Sequence, residues 1–430
     1  MRRILMLARH FPPIGGAGVH RTVGSVRHLP AHGYAPVVVT GAAERSDRWE
    51  PRDEELLARI PDTVPVHRVR AAPARPPSRL DHLRGLPPRW VRAWVQDGAR
   101  AAAENGAGAD LVYASCLPYE TAFAAARAAR TLGIPWVADL EDAWALDEMR
   151  PAPSAAHRAL DLRRMRRALA GASAVVMAAP EAAARLRAAM PELAAAVEIE
   201  GIPIGFEPSD FVAGAAPRPD GVFRIVHTGS LHTDLGEHLR ATRSRRRVLG
   251  GTEAGLDVLT RSHVFLVRAL DRLIAAEPAL ADRIELHLAG DLTPADRAAG
   301  DGRAYVRARG LLPHAETVAL MRRADLLFLP MHDLPPGRRA GLIPYKTYEY
   351  LAAGRPILAA VPDGDVRDML APLERASLVR PSDVDGMAAA IRRRLAAAAG
   401  GREPDAPPPG SYTRAEGVAR IARVLDRVTG

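Results

Sequence analysis

The 430-residue chain is nearly without lysine: Lys346 is the only one among 59 basic residues. It has one cysteine, Cys116, so no internal disulfide can form, which fits a reducing compartment. Aromatic residues make up only 5%. No zinc-finger spacing or aromatic-interleaved basic sheet accompanies the arginines, which argues against a nucleic-acid partner. No apolar run approaches the roughly 20 residues of a membrane span. The opening MRRILMLARHFPP does not read as a signal peptide, because its apolar run is short, is ended by Arg9 and lacks a small-residue cleavage site. These absences give the expectation of a cytoplasmic protein.

What is present is ordinary for a soluble globular chain, with 48% hydrophobic and 25% charged residues. The length predicts two or three domains. The net charge of +9 is read as a scattered arginine surface, with affinity for anionic ligands as the functional alternative. The dense run RATRSRRR, Arg240 to Arg247, reads as an exposed loop.

Short apolar runs alternate with helical patterns along the whole chain. RILMLA, PVVVT, VPVHRV, DLVYAS, PWVADL, SAVVMA and VEIEGIPIG form a first set of strand candidates. FRIVHTG, IELHLAG, AYVRARG, DLLFLP, PILAA and SLVRP form a second. Unalternated β-branched runs between helices predict parallel strands buried on both faces. The fold class is therefore α/β, with two Rossmann-like doubly wound parallel-sheet domains. The predicted boundaries are residues 1–205, a Pro- and Gly-rich linker over 206–221, a second domain over 222–405, and a helix over 411–430 that returns toward the first domain. In such sheets ligands bind at the carboxyl ends of strands, so two domains facing each other would form a cleft.

The candidate site residues follow the strands. After the first strand, Gly15 and Gly16 allow a ligand to approach the backbone, and a helix carrying His20 follows. After PWVADL come Asp139, Glu141 and Asp142, carboxylates that either orient an acceptor hydroxyl or serve as caps and salt bridges. After FRIVHTG, Gly229 and Ser230 suit contact with a pyrophosphate, whereas His227 reads as a strand residue. The backbone at Leu311 and Leu312 is a weak candidate for reading a nucleobase edge.

The segment GLIPYKTYEYLAAGRPILAA is the most specific. Pro344 suits a first helical position, which puts Lys346 in the first turn. A cation there opposes the helix dipole by roughly 0.3–1 kcal/mol unless a bound phosphate reverses the sign. Glu349, three residues on, shares its face and suits a ribose diol. Gly354 ends the helix.

FPPIGGAGVHR, VADLEDAW, RIVHTGSL, ADLLFLP and IPYKTYEYLAAGRPILA together resemble the GT-B glycosyltransferases of the retaining family four type, over nearly the whole chain. The resemblance implies a nucleotide-diphosphate sugar as co-substrate, bound by the second domain, and a small-molecule, glycan or lipid-linked hydroxyl acceptor on the first. It implies no metal and no resident cofactor. Carried over, Glu349 matches the ribose-binding glutamate, Lys346 lies near the diphosphate, and Gly15 and Gly16 close over it. Leu342 and Ile343 fall in the same donor segment; Cys116, His20 and Asp139 fall on the acceptor side. Lys346, Glu141 and Asp142 are the candidates for the chemistry. Three departures stand out. Glu141 stands where relatives often place a histidine after the strand matching PWVADL. Gly341 occupies the position of a second glutamate found in many relatives. An insertion-like stretch, His232 to Thr260, replaces the usual Arg–Lys pair, so Arg261 or one of the loop arginines is the candidate substitute.

Arg84 to Glu104, with Trp90, Trp94 and four arginines, reads as an amphipathic helix over the first sheet, with peripheral docking to an anionic membrane as the alternative. A sugar-nucleotide epimerase and a non-catalytic partner protein are the competing functions for the whole chain.

Overall fold

The computed structural model describes residues 1–16, 18–42, 52–70, 86–212, 220–399 and 410–430. They form two compact units: residues 1–150, 155–205 and 412–430, and residues 151–154 and 206–411.

The first unit is built on a seven-stranded parallel sheet in the order β3-β2-β1-β4-β5-β6-β7. Its strands are β1 (Arg2–Ala8), β2 (Tyr34–Gly41), β3 (Val66–Val69), β4 (Leu111–Ser115), β5 (Trp136–Leu140), β6 (Ala174–Met177) and β7 (Glu198–Gly201). The central strands read as continuous apolar runs because helices cover both faces; every residue of β4, β5 and β6 is buried. The chain leaves β3 and returns to the middle of the sheet as β4, beside β1. That reversal leaves a crevice at the carboxyl ends of β1 and β4.

The final helix, Arg414–Thr429, belongs to this unit. Thr413 caps it by accepting the Glu416 N–H at 3.2 Å. Val418, Ile421, Val424 and Leu425 share one apolar core with Ile4, Met6, Tyr34 and Val38. Helix Arg89–Asn105 also lies on this sheet, with Val91, Trp94 and Val95 buried and the Trp94 indole N–H donating to Thr121 Oγ1 at 3.0 Å. The covering helix of the sequence reading is thus observed over 89–105, while residues 84 and 85 lie outside the described residues.

The second unit carries a six-stranded parallel sheet in the order β10-β9-β8-β11-β13-β15. Its strands are β8 (Phe223–Thr228), β9 (Ile284–Ala289), β10 (Val306–Gly310), β11 (Leu326–Pro330), β13 (Ile357–Ala360) and β15 (Ala376–Val379); a small separate ladder pairs β12 (Arg339–Ala340) with β14 (Asp363–Gly364). Here the order reverses between β8 and β11.

Two sequence expectations are corrected. The arginine run Arg240 to Arg247 is not a loop: it spans the end of helix Thr233–Ala241 and most of helix Arg243–Val248, with Arg240 bound to Asp257 at 3.0 Å through Nε. Arginine is a good helix former, and only Thr242 interrupts the run. The segment after Gly205 is not a free linker throughout. Phe206 is fully buried edge-on to Phe211, within a 3₁₀ turn at Pro208–Phe211 that packs on the second unit. Among the described residues no helix is long and apolar enough to cross a membrane.

Candidate functional site

In the first unit the loops after β1, β4 and β5 meet at the sheet's switch point. Gly16 takes a left-handed φ of 106° and its carbonyl receives the Val19 N–H at 3.2 Å, which turns the chain into helix Val19–His28. Gly18 opens that helix against Glu141: a Cβ at Gly18 would lie 2.3 Å from Glu141 Oε2. Glu141 is partly buried, and its Oε1 accepts the Ser115 hydroxyl at 3.2 Å. Burial, followed by the nearby Asp139 charge, holds the Glu141 carboxyl well above the usual carboxylate range, with Arg21 pulling the other way.

Asp139 lies differently. It is 1% exposed, accepts Arg21 Nε–H at 2.6 Å, and also accepts the Tyr113 hydroxyl. Arg21 in turn donates to the Ile202 carbonyl at 2.8 Å. Asp139 is therefore a buried structural ion pair and not an acceptor-side carboxylate, the salt-bridge alternative of the sequence reading. Cys116 is likewise buried, its thiol donating to the Ala114 carbonyl at 3.4 Å and pushed up by desolvation. This places the thiol in the core and not on the acceptor side. His20 receives Arg414 Nη2 at its Nδ1 at 3.2 Å, which links helix Val19–His28 to the C-terminal helix. Asp142 is partly buried; burial, followed by the Asp142 charge, pushes the Tyr119 hydroxyl well above its usual range.

The EDAW turn holds a feature the sequence reading missed. Trp144 has φ of 50°, a left-handed conformation that is an outlier for a bulky side chain. Its ring stacks on Tyr119 at 5.1 Å, and the Arg150 guanidinium lies over the Tyr119 ring at 5.1 Å. Strain of this kind persists where packing over-determines it.

In the second unit the site gathers at the β8–β11 switch point. Gly229, with φ of 86°, follows β8, and its N–H donates to the Ala289 carbonyl at 2.7 Å. A Cβ there would stand 3.3 Å from Lys346 Cε, so the glycine lets the lysine pass close to the backbone. Helix Lys346–Ala353 begins two residues later than Pro344 would set it: Tyr345 is the N-cap, and Pro344 and Tyr345 carbonyls receive Thr347 and Tyr348 N–H at 2.9 and 3.0 Å. The first-position assignment of Pro344 is thus corrected.

Lys346 does not stay over its own helix start. Its Nζ donates to the Ser230 carbonyl at 3.2 Å and contacts His227 Nε2 at 3.2 Å. Desolvation, followed by the Arg261 charge, lowers the amine to about 7, with Glu349 opposing. His227 is 0% exposed and its Nδ1 meets the Phe328 carbonyl at 3.0 Å. His227 is a strand residue, as the sequence suggested, yet one that touches the candidate cation. Strand periodicity gave no signal for this, because β8 is buried on both faces.

Glu349 is 8% exposed, and its Oε1 lies 3.9 Å from His314 Nδ1. His314 Nε2 binds Asp210 Oδ2 at 3.0 Å, so a carboxylate–imidazole–carboxylate line runs beneath the helix. His314 and Asp210 were not singled out from sequence; the only cue is their position after β10 and in the presumed linker. Tyr350 Oη accepts the Thr228 N–H at 2.9 Å and pins the helix to β8. Arg261 ends the 3₁₀ turn Val258–Thr260, and its carbonyl receives the His232 N–H at 3.1 Å. Ile343 is buried, Leu342 and Leu312 are half-buried, and Leu311 is 64% exposed.

Comparison with known proteins agrees with this fold. Residues 15–205 match a glycosyl transferase 4-like domain, and residues 257–397 match glycosyl transferases group 1. No curated protein matches the sequence. Similar solved structures include Anabaena Alr3699/HepE in complex with UDP and glucose (16% identity, TM-score 0.56, covering 99% of this chain and 100% of that one). Sucrose-phosphate synthase from Thermosynechococcus elongatus is similar at 16% identity and TM-score 0.58, covering 100% of this chain and 96% of that one. A candidate UDP-N-acetylglucosamine 2-epimerase from Listeria monocytogenes is similar at 13% identity and TM-score 0.53, covering 99% and 95%. The chain belongs to the GT-B glycosyltransferases.

Proposed function

We propose that the protein moves a sugar from a nucleotide-diphosphate sugar to a hydroxyl acceptor, with the donor taken by the second unit. The observation that carries this reading is Lys346. The only lysine of the chain reaches across its own helix start to stand beside Gly229 and Ser230, at the switch point of the β8–β11 sheet. A compact cation beside an open glycine turn suits a diphosphate, and Arg261 adds a second positive charge. Glu349, held near His314, is placed for a ribose diol on the same helix. On the first unit, Glu141 is the carboxyl offered to an acceptor hydroxyl, since Asp139 is committed to Arg21.

The resemblance extends the proposal to retention of anomeric configuration, to chemistry without a metal, and to a cytoplasmic enzyme. A thermal-shift panel of UDP, GDP, ADP and dTDP tests the reading. Stabilisation by one of them is expected, and no stabilisation by any would point to a non-catalytic partner protein. A second reading, sugar-nucleotide epimerisation, is favoured only by the fold shared with the Listeria protein. Conversion of a nucleotide sugar with no acceptor present would establish it in place of transfer.

A further inference from the structure

We propose that His227 is a positioning residue for the donor cation: the Phe328 carbonyl fixes its imidazole as the Nδ1–H tautomer, and its Nε2 lone pair then holds Lys346 Nζ beside the Gly229–Ser230 backbone. This rests on the reading of the second unit as the donor-binding half. The geometry leaves one consistent tautomer. Nδ1 is 3.0 Å from a carbonyl oxygen, which can only accept, so Nδ1 carries the proton. Nε2 then has a lone pair, and it is 3.2 Å from an amine that can donate to it. The ring is fully buried on β8, so no rotation into solvent competes.

Counting hydrogens on Nζ gives the consequence. The Ser230 carbonyl and His227 Nε2 use two N–H groups. A neutral amine has only those two. A proton taken from solvent supplies a third, and that third N–H is the one left for a phosphate oxygen. Donor binding is therefore coupled to proton uptake at Lys346, whose ordinary value is drawn down to about 7 in the free protein.

The charged and titratable groups around the pair act in known directions. Arg261 lowers both Lys346 and His227, and His263 also lowers His227, while Glu349 raises Lys346. His314 faces Glu349 from helix His314–Arg322, and Tyr350 is kept un-ionised by burial. His227 itself is held well below its usual range by burial, followed by the Lys346 charge, so it stays the neutral partner.

Calorimetric titration of the full chain tests this, using whichever of UDP, GDP, ADP and dTDP stabilises it most. Measurements at pH 7, 8 and 9 in two buffers of different ionisation enthalpy report affinity and proton uptake together. The wild type is expected to lose affinity as pH rises above 7, by up to about tenfold per unit, the limit for one proton. His227→Asn keeps a donor for the Phe328 carbonyl but has no acceptor for Nζ. It is expected to bind more than tenfold more weakly at pH 7 and to lose the pH slope. His227→Gln places an acceptor near the Nε2 position and is expected to recover most of the affinity and the slope. A loosened core alone would lower affinity without flattening the pH profile. Should His227→Asn fail to fold, the ¹⁵N-histidine spectrum of the wild type decides: a neutral Nδ1–H ring whose Nε2 shifts with nucleotide is expected, and an Nε2–H or doubly protonated ring overturns the proposal. A wild-type affinity that is flat with pH, or a folded His227→Asn with unchanged binding, overturns it as well. No binding of any nucleotide by the wild type overturns the donor reading itself and this inference with it.

Discussion

Asp139 and Glu141 stand two positions apart at the end of β5, and their surroundings separate them. Asp139 is locked between Arg21 and Tyr113. Glu141 rests on the Gly18 backbone with only Ser115 donating to it among the contacts described above. A buried ion pair contributes little net stability when intact, but removing one partner leaves an uncompensated charge. Asp139→Asn is therefore expected to destabilise the first unit by about 3–5 kcal/mol, read from urea denaturation. A change within roughly 0.5 kcal/mol, the size of an ordinary surface substitution, would show that Asp139 is not a structural ion pair.

At the scale of elements, the C-terminal helix is the least local part of the fold. Residues 412–430 belong to the first unit although residues 206–411, nearly half the chain, separate them from its other segments. Leu425 is 0% exposed in a core it shares with Ile4 and Val38. Leu425→Ala is expected to cost about 2–5 kcal/mol, measured by the same denaturation and seen in the first unit's transition. The strands and most helices were legible in the sequence, because apolar runs between helical patterns are local signals. Helix starts were less so: Pro344 offered a plausible first position, but the backbone turns once more before Lys346. The arginine run misread as a loop shows the same limit, since charge density masked a good helix former. Of the site, the residue types at strand ends were legible, and so were Gly229 and Lys346. The contacts were not. The Arg21–Asp139 pair spans 118 positions, and the Lys346–His227 pair spans 119. No periodicity encodes which buried groups meet across such separations.

At the scale of the whole molecule, two parallel sheets each reverse their strand order once, and each reversal gathers loops at the strands' carboxyl ends. The first unit presents carboxyl groups there and the second presents cations, a division that suits a hydroxyl acceptor on one and a diphosphate donor on the other. The central claim is that Lys346 binds that diphosphate. It is tested most directly by titrating the stabilising nucleotide into the wild type, Lys346→Ala and Lys346→Arg. Lys346→Ala is expected to weaken binding by about 1.5–3 kcal/mol, the range for a hydrogen bond to a charged group. Lys346→Arg is expected to fall short of rescue, because a planar guanidinium does not fit the place a compact ammonium holds between Ser230 and His227. Equal affinity in all three proteins would contradict the claim.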